Sequence, residues 1–184
     1  MAICNKQANC HLFLKSITMA TKLKNLSTYN PKKIPSAENM TFGIVVSEWN
    51  EEITDALCKG AVETLIENGA KMSNIHIKYV PGSFELVLGA QLMNYNLNCD
   101  AVLCLGCVIQ GETRHFDFIC NAVANGIMNL NNELISPIIF GVLTTNNLEQ
   151  AKDRAGGKHG NKGVEAALTA IKMISLQQEL EESI

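Results

Sequence analysis

The stretch AVLCLGCVI (Ala101–Ile109) is continuously apolar, and the polar stretch QGETRH (Gln110–His115) follows it at once. A strand with two apolar faces is typical of a parallel sheet that helices cover on both sides. Shorter apolar, β-branched segments predict three more strands, at Phe42–Val46, Ile75–Val80 and Ile138–Leu143. The sequence therefore predicts a four-stranded parallel sheet at the centre of an α/β fold.

Apolar residues recur at helical spacing between the predicted strands and after the last of them. Asn50 is predicted to cap the first helix, and Asn68-Gly69 to end it. The other predicted helices are Ser83–Tyr95, Phe116–Leu134, Asn147–Ala155 and a long last helix from Val164 onward, with the glycine-rich segment Gly156–Gly163 as a loop or a helix break. Strands that alternate with helices in this way predict helices packed on both faces of the sheet.

The composition limits the classes of function. The chain has 184 residues, which suffices for one domain with a substantial core, and 47% of them are hydrophobic. Its net charge of -3 provides no basic surface for nucleic acid. No apolar run approaches the roughly 20 residues that a membrane span needs. We therefore expect small-molecule ligands, with neither nucleic acid nor membrane as a partner.

The seven cysteines are predicted to be structural. Most of them, including Cys58 and Cys120, lie in apolar segments, as small buried side chains in a reducing compartment do. Cys104 and Cys107 have the C-x-x-C spacing, but residues three apart on a strand point to opposite faces. We accordingly predict no metal site there.

The N-terminal region differs in composition from the rest of the chain. No acidic residue precedes Glu38, whereas six lysines do. Residues 1–18 are expected to lie outside the fold, either as a targeting segment or as sequence upstream of a start at Met19. Residues 19–40, with Pro31 and Pro35, are expected to form an extended arm, of a kind that often lies along a neighbouring subunit. Residues 41–184 then form the single domain.

Polar and aromatic residues follow each predicted strand. In open parallel sheets, ligands bind at the carboxyl ends of the strands. This rule brings together Trp49 and Asn50, Pro81–Glu85, Gly111–His115 and Phe140–Thr145. We therefore expect a binding site at this edge of the sheet.

The turn after Ala101–Ile109 is suited to an anion. Gly111 allows backbone N–H groups to approach a ligand, and the following helix presents its positive end there. Thr113 adds a hydroxyl, whereas the Glu112 side chain is expected to turn away. The helix N-terminus and burial are both expected to keep the imidazole of His115 neutral and able to accept a proton. Taken singly, His115 also fits a capping or core role, and Trp49 fits a core aromatic.

Together, the motifs resemble the 6,7-dimethyl-8-ribityllumazine synthase family, over about residues 40 to 177. The matching segments are Ser47–Asn50, Val80–Glu85, Leu105-Gly106, Gly111–Asp117, Pro137–Thr144 and Glu149–Gly163. Two departures are Val87, where the family often has proline, and Gly157, where some members have threonine. The resemblance implies a flavodoxin-like three-layer sandwich around the predicted sheet.

The resemblance also implies an activity, the penultimate step of riboflavin biosynthesis. In that step 5-amino-6-(D-ribitylamino)uracil condenses with 3,4-dihydroxy-2-butanone 4-phosphate. The products are 6,7-dimethyl-8-ribityllumazine, phosphate and water. It implies no metal and no redox cofactor. A nucleotide- or flavin-binding module, and a shell protein whose site has lost activity, remain as alternatives.

Family roles fall on chemically suitable residues. His115 takes the position of the proton-transfer residue, and Asp117 is a candidate to orient its imidazole. Arg154, paired with Glu165, is expected to hold the phosphate together with Thr113 and the N–H groups of 111–113. The residues expected to bind the pyrimidine ring or the ribityl chain are Trp49, Asn50, Ser83, Phe84, Glu85, Val108, Ile109, Phe140 and Lys162, with Lys162 supplied by a neighbouring subunit.

The resemblance further implies a homo-oligomer. Family members form pentamers with sites at the subunit interfaces, and some pentamers assemble into an icosahedral capsid. The compact spacing from Arg154 to Lys162 favours the capsid. A cytoplasmic bacterial enzyme is expected, with riboflavin synthase as a candidate partner.

Overall fold

A computed structural model describes residue 25 and residues 27–183. The strands β1 (Phe42–Ser47), β2 (Ile75–Val80), β3 (Ala101–Ile109) and β4 (Ile138–Thr145) form one sheet in the order β2-β1-β3-β4. All neighbouring pairs in this sheet are parallel, with β1 and β3 in the centre. The predicted four-stranded parallel sheet is thus confirmed. The continuously apolar β3 is central because both of its faces are buried.

Helices cover both faces of the sheet. They are α1 (Glu51–Glu67), α2 (Leu86–Leu97), α3 (His115–Glu133), α4 (Leu148–Arg154) and α5 (Lys162–Glu181). Short 3-10 turns lie at Pro31–Lys33, Met72–Asn74 and Ser83–Glu85. No helix among the described residues combines the length and the apolar character that a bilayer crossing requires.

The core is divided into two halves by the sheet. Alternate β-strand residues such as Ile44 and Leu103 pack against α1 and α5, where Leu57 and Ile171 are fully buried. The intervening strand residues, such as Val45, pack against α2 and α3 in a second cluster. Since successive side chains in a strand point to opposite faces, this division gives the predicted three-layer sandwich.

Three local predictions are corrected. Residues Ser83–Glu85 form a 3-10 turn instead of the first turn of α2, which begins at Leu86. The glycine-rich segment contains a small antiparallel hairpin, β5 (Ala155–Gly157) and β6 (Gly160–Asn161). Cys120 is half-buried, so it is not a core residue like the other described cysteines.

The described part of the N-terminal arm lies against its own chain. The backbone N–H of Ala37 donates to the carbonyl of Asn68 at 2.8 Å, next to the end of α1. Tyr29 donates to Glu67 at 3.4 Å. The expected non-core segment of residues 1–18 lies outside the described residues.

Candidate active site

A cleft of about 730 Å³ lies at the carboxyl ends of β1 and β3, beside the 3-10 turn that follows β2. Ten of the residues predicted to form the site line it: Trp49, Asn50, Ser83, Phe84, Glu85, Val108, Ile109, Gly111, Thr113 and His115. Its volume lies in the range of pockets that bind small molecules. Segments that are far apart in the sequence therefore meet at the edge of the sheet where the parallel-sheet rule puts a ligand.

Trp49 and Asn50 form the wall of the cleft that follows β1. The indole of Trp49 is 72% exposed, so a flat ligand could stack on it. Asn50 is the N-cap residue of α1, as the sequence predicted, but its side chain makes no capping hydrogen bond. Its backbone is left-handed, with φ 64° and ψ 46°, and its Nδ2 donates to the carbonyl of Cys107 at 2.9 Å. This bond ties the start of α1 to β3, and the amide oxygen remains to accept a bond from a ligand.

The turn Ser83–Glu85 forms another part of the cleft lining. The side chain of Ser83 is 7% exposed, and its Oγ has no hydrogen-bond partner among the described residues. Gly106 allows this close approach, because a Cβ on Gly106 would lie 2.7 Å from that Oγ. Phe84 is 56% exposed beside it. Glu85 ends the turn with a carboxylate that can accept hydrogen bonds from hydroxyl groups.

The turn between β3 and α3 offers backbone donors. Within the part of the chain that the structure describes, the N–H groups of Gly111, Glu112 and Thr113 donate no hydrogen bond. A Cβ on Gly111 would meet nothing within 4 Å, so the packing of this chain does not require a glycine there. Unpaired N–H groups at the start of a helix attract anions.

His115 is the first residue of α3. Its backbone N–H donates to the hydroxyl of Thr113 at 3.4 Å. The side chain is exposed, so within one chain the expected burial of the imidazole is not observed. Oδ2 of Asp117 lies 3.5 Å from Nε of Arg114, and both side chains are exposed.

Four predicted site residues lie outside the cleft: Glu112, Phe140, Arg154 and Lys162. Glu112 is exposed, consistent with a side chain that turns away from the cleft. Phe140 and Lys162 line a second groove of about 540 Å³ between α3, β4 and α5. The groove follows β4, which is an edge strand of the sheet, and Phe140 is 37% exposed in it.

A cluster of two cations and one anion lies at the start of α5. Nη1 of Arg154 is 2.7 Å from Oε1 of Glu165, although the oblique approach makes this an ion pair and not an aligned hydrogen bond. The same nitrogen donates to the carbonyl of His159 at 2.8 Å. Nζ of Lys162 lies 3.4 Å from Oε2 of Glu165. Because Glu165 contacts both cations, it fixes their relative positions.

Cys107 lines the cleft, and Cys104 packs in the α2–α3 half of the core. The two thiols therefore lie on opposite faces of β3, as the strand geometry predicted. Burial raises the pKa of Cys104 to about 12 and that of Cys107 to about 11, so both are protonated and unreactive at neutral pH. Among residues 25 and 27–183, no group of three or more potential metal ligands is present.

The sequence of the chain matches the family model of 6,7-dimethyl-8-ribityllumazine synthase over residues 39–178. The chain belongs to the 6,7-dimethyl-8-ribityllumazine synthase family. Its similarity to named lumazine synthases spans nearly their whole length. The enzyme from Cytophaga hutchinsonii is 60% identical over 157 residues, which is 85% of this chain and 98% of that protein. The enzyme from Phocaeicola vulgatus is 51% identical over 165 residues, covering 90% of this chain and 98% of that protein. The enzyme from Christiangramia forsetii is 54% identical over 162 residues, covering 88% of this chain and 96% of that protein.

The cleft also contains residues that the sequence did not indicate as site residues. Phe116 and Ile119 line it, although the sequence indicated them only as apolar positions of the predicted helix Phe116–Leu134. Cys107 belongs to the same wall and accepts the bond from Asn50 through its carbonyl. The periodicity of an amphipathic helix shows which face is apolar, but it does not distinguish a face against the core from a face against a cleft.

Proposed function

We infer that this chain condenses 5-amino-6-(D-ribitylamino)uracil with 3,4-dihydroxy-2-butanone 4-phosphate. The products are 6,7-dimethyl-8-ribityllumazine, phosphate and water. Membership of the lumazine synthase family supports this reaction. The observation that carries it is that Trp49, Glu85, Thr113 and His115, from separate segments, line one cleft.

The ring and the ribityl chain of the first substrate are assigned to the walls of the cleft. Trp49 stacks on the pyrimidine, since a planar indole presents a complementary face. Asn50, Ser83 and the backbone of Val108 and Ile109 hydrogen-bond polar groups of this substrate. Ser83 suits this role because its buried hydroxyl has no partner among the described residues. Glu85 accepts bonds from ribityl hydroxyl groups, and Phe84 borders the chain.

The phosphate of the second substrate is assigned to the turn at Gly111–Thr113. Three backbone N–H groups and the Thr113 hydroxyl are the donors. Arg154 adds a guanidinium, whose fork of N–H groups matches phosphate oxygens. With this anchor, the carbonyl of the second substrate lies near the amine of the first.

His115 is assigned to proton transfer. It assists the attack of the amine on the ketone carbonyl and then the loss of water and phosphate. Much of the acceleration comes from holding two substrates in the correct relative orientation. A neighbouring subunit would bury the imidazole, which is exposed in one chain.

The position of Phe140, Arg154 and Lys162 outside the cleft supports a site shared between copies of this chain. A neighbouring copy would place these three residues against the open side of the cleft. We therefore propose a homo-oligomer, a pentamer in which each cleft is completed by its neighbour. The compact Arg154–Lys162 segment favours further assembly of pentamers into an icosahedral capsid. A cytoplasmic enzyme and an association with riboflavin synthase remain part of this proposal.

The direct test is to mix the purified protein with both substrates and follow the absorbance of the lumazine product. Formation above the uncatalysed rate is the expected result. A protein that carries bound flavin and does not turn over would instead be a flavin-binding module. Capsids without turnover would indicate a shell protein. Sedimentation velocity distinguishes the pentamer from the capsid.

A further inference from the structure

The N-terminal arm contacts Asn161, which directly precedes Lys162. Lys162, Arg154 and Glu165 form the cluster described above, which is called the cationic cluster below. Oγ of Ser27 donates to the carbonyl of Asn161 at 3.0 Å and accepts from the N–H of the same residue at 2.5 Å. One hydroxyl can do both, because it has one donor and two acceptor sites. Ser27 therefore satisfies both main-chain groups of Asn161, as a neighbouring strand would. It lies 134 residues away along the sequence, so the contact is tertiary.

Asn161 is otherwise held by its side chain. Oδ1 accepts from the N–H of Gly163 at 2.7 Å and caps α5, and Nδ2 donates to the carbonyl of Ala56 in α1 at 2.8 Å. Gly60 makes room for this amide, because a Cβ there would lie 2.6 Å from Nδ2. The side chain is thus fixed by two helices, and Ser27 fixes the outer side of the main chain.

The arm packs closely against the hairpin at Gly160. Its φ of +85° is one that L side chains rarely adopt. A Cβ on Gly160 would also collide with Oγ of Ser27 and Oδ1 of Asn25. Glycine is thus required twice at this position, once by the turn and once by the close approach of the arm.

The hairpin connects this contact to the cationic cluster. Asn161 immediately precedes Lys162, and the carbonyl of His159, two residues before it, accepts from Nη1 of Arg154 at 2.8 Å. A change in the main chain at Asn161 would move that carbonyl and with it the guanidinium. We propose that Ser27 is a positioning residue that holds Arg154 in place for phosphate binding. This inference rests on the proposed phosphate-binding role of Arg154.

The test compares Ser27→Ala with Ser36→Ala. Ser36 is a second, exposed serine of the arm, and among the described residues its hydroxyl accepts a single hydrogen bond, from the backbone N–H of Glu38 at 3.4 Å. Ser27→Ala removes both hydrogen bonds to Asn161. It is expected to raise KM for the phosphate substrate roughly fivefold, the effect of weakening about one hydrogen bond from Arg154 to the phosphate. KM for the pyrimidine substrate is expected to stay unchanged, and Ser36→Ala to leave both values unchanged. Hydrogen exchange at the amide of Asn161 should become faster in Ser27→Ala alone.

A double variant separates positioning from a general loss of stability. In the Arg154→Ala background, Ser27→Ala should not raise KM for the phosphate substrate further, because the residue that it positions is gone. The proposal would be overturned if Ser27→Ala alone raised both KM values equally or raised neither. It would also be overturned if Ser27→Ala raised KM for the phosphate substrate by the same factor in the Arg154→Ala background as it does alone. If Arg154→Ala by itself leaves this KM unchanged, the proposed role of Arg154 fails instead. Exchange at Asn161 still reports on the arm contact in that case.

Discussion

The guanidinium of Arg154 and the carboxylate of Glu165 form an ion pair, with Nη1 2.7 Å from Oε1 and with side chains only 19% and 20% exposed. Exposed pairs contribute little because water screens them, whereas this pair is largely shielded. Glu165 therefore fixes a cation that remains able to bind a second anion through its other N–H groups.

Replacement of Arg154 by alanine should chiefly weaken binding of the phosphate substrate. We expect KM for that substrate to rise about 10- to 100-fold, as for the loss of charge-assisted hydrogen bonds. The control is Lys158→Ala, which removes a more exposed cation from the same segment, paired with Asp153 at 2.8 Å. Steady-state kinetics with each substrate varied in turn measure the effect. An unchanged KM for the phosphate substrate in Arg154→Ala would contradict the assignment.

Replacement of His115 by alanine should slow the reaction without abolishing it. General acid–base catalysis typically contributes 10²- to 10⁴-fold, and we expect a decrease in kcat of about 10², since orientation of the substrates remains. Single-turnover measurements at saturating substrate isolate the chemical steps. Complete loss of turnover in a variant that still folds and assembles would argue that the imidazole does more than transfer protons.

Two glycines should respond in opposite ways to alanine. A Cβ on Gly163 would collide with the backbone carbonyl of Leu57, where α5 crosses α1, and backbone cannot easily move aside. We expect Gly163→Ala to lower the free energy of unfolding by about 3 kcal/mol or more. Gly111→Ala should change it by less than about 0.5 kcal/mol, because the Cβ meets nothing within 4 Å.

Gly111→Ala should nevertheless raise KM for the phosphate substrate, because the added methyl group lies where the ligand approaches the N–H groups. Denaturant unfolding and steady-state kinetics on the same preparations provide both measurements. Substantial destabilisation by Gly111→Ala would mean that this glycine serves the fold and not the ligand.

The stability of the fold should decline above about pH 9. Burial raises the pKa of Cys104 from 9.0 to about 12, so the folded state keeps a proton that the unfolded state releases. The stabilisation is complete below pH 9 and is lost as the pH rises towards 12, at about 1.4 kcal/mol per pH unit for each such thiol. Cys58, Cys99 and Cys107, each raised to about 11, act in the same direction.

The corresponding test is Cys104→Val, which should make the decrease in unfolding free energy between pH 9 and pH 11 shallower. The control is Cys120→Val, since the Cys120 thiol is only half-buried. Urea unfolding across this pH range measures the slopes. Identical slopes for Cys104→Val and the unmodified chain would exclude Cys104 as a source of the pH dependence.

The sheet and most of the cleft could be predicted from the sequence because both depend on patterns that are local. The run Ala101–Ile109 predicted β3 with its observed ends, and strand order then brought Trp49, Glu85 and His115 to one edge. Asn50 occupies the predicted N-cap position of α1, but its side chain makes no capping hydrogen bond, because its amide reaches the carbonyl of Cys107 on a neighbouring strand. The Cys107 carbonyl is distant from Asn50 in the sequence, so the sequence rules for helix caps, which consider only neighbouring residues, do not include it.

The position of Arg154 outside the cleft could not be predicted from the sequence. It lies at the end of α4, and seven helical residues span about 10 Å, so the helix carries it away from the edge where β4 ends. Strand order predicts which residues follow a strand, but not how far an intervening helix takes them. The role of Ser27 was likewise not predictable, since a serine in a polar arm has no pattern that indicates its partner.

The two outer strands of the sheet differ in a way that bears on how the protein is made. β2 carries Lys78, and charge on an edge strand discourages pairing with other chains. β4 has the sequence IIFGVLTT without any charged residue, so its outer edge lacks this protection. A newly synthesised or refolding chain is therefore expected to aggregate through this strand until another surface covers it. Yield on refolding should consequently depend on how quickly correct partners meet, and slow dilution should favour the native product over precipitate.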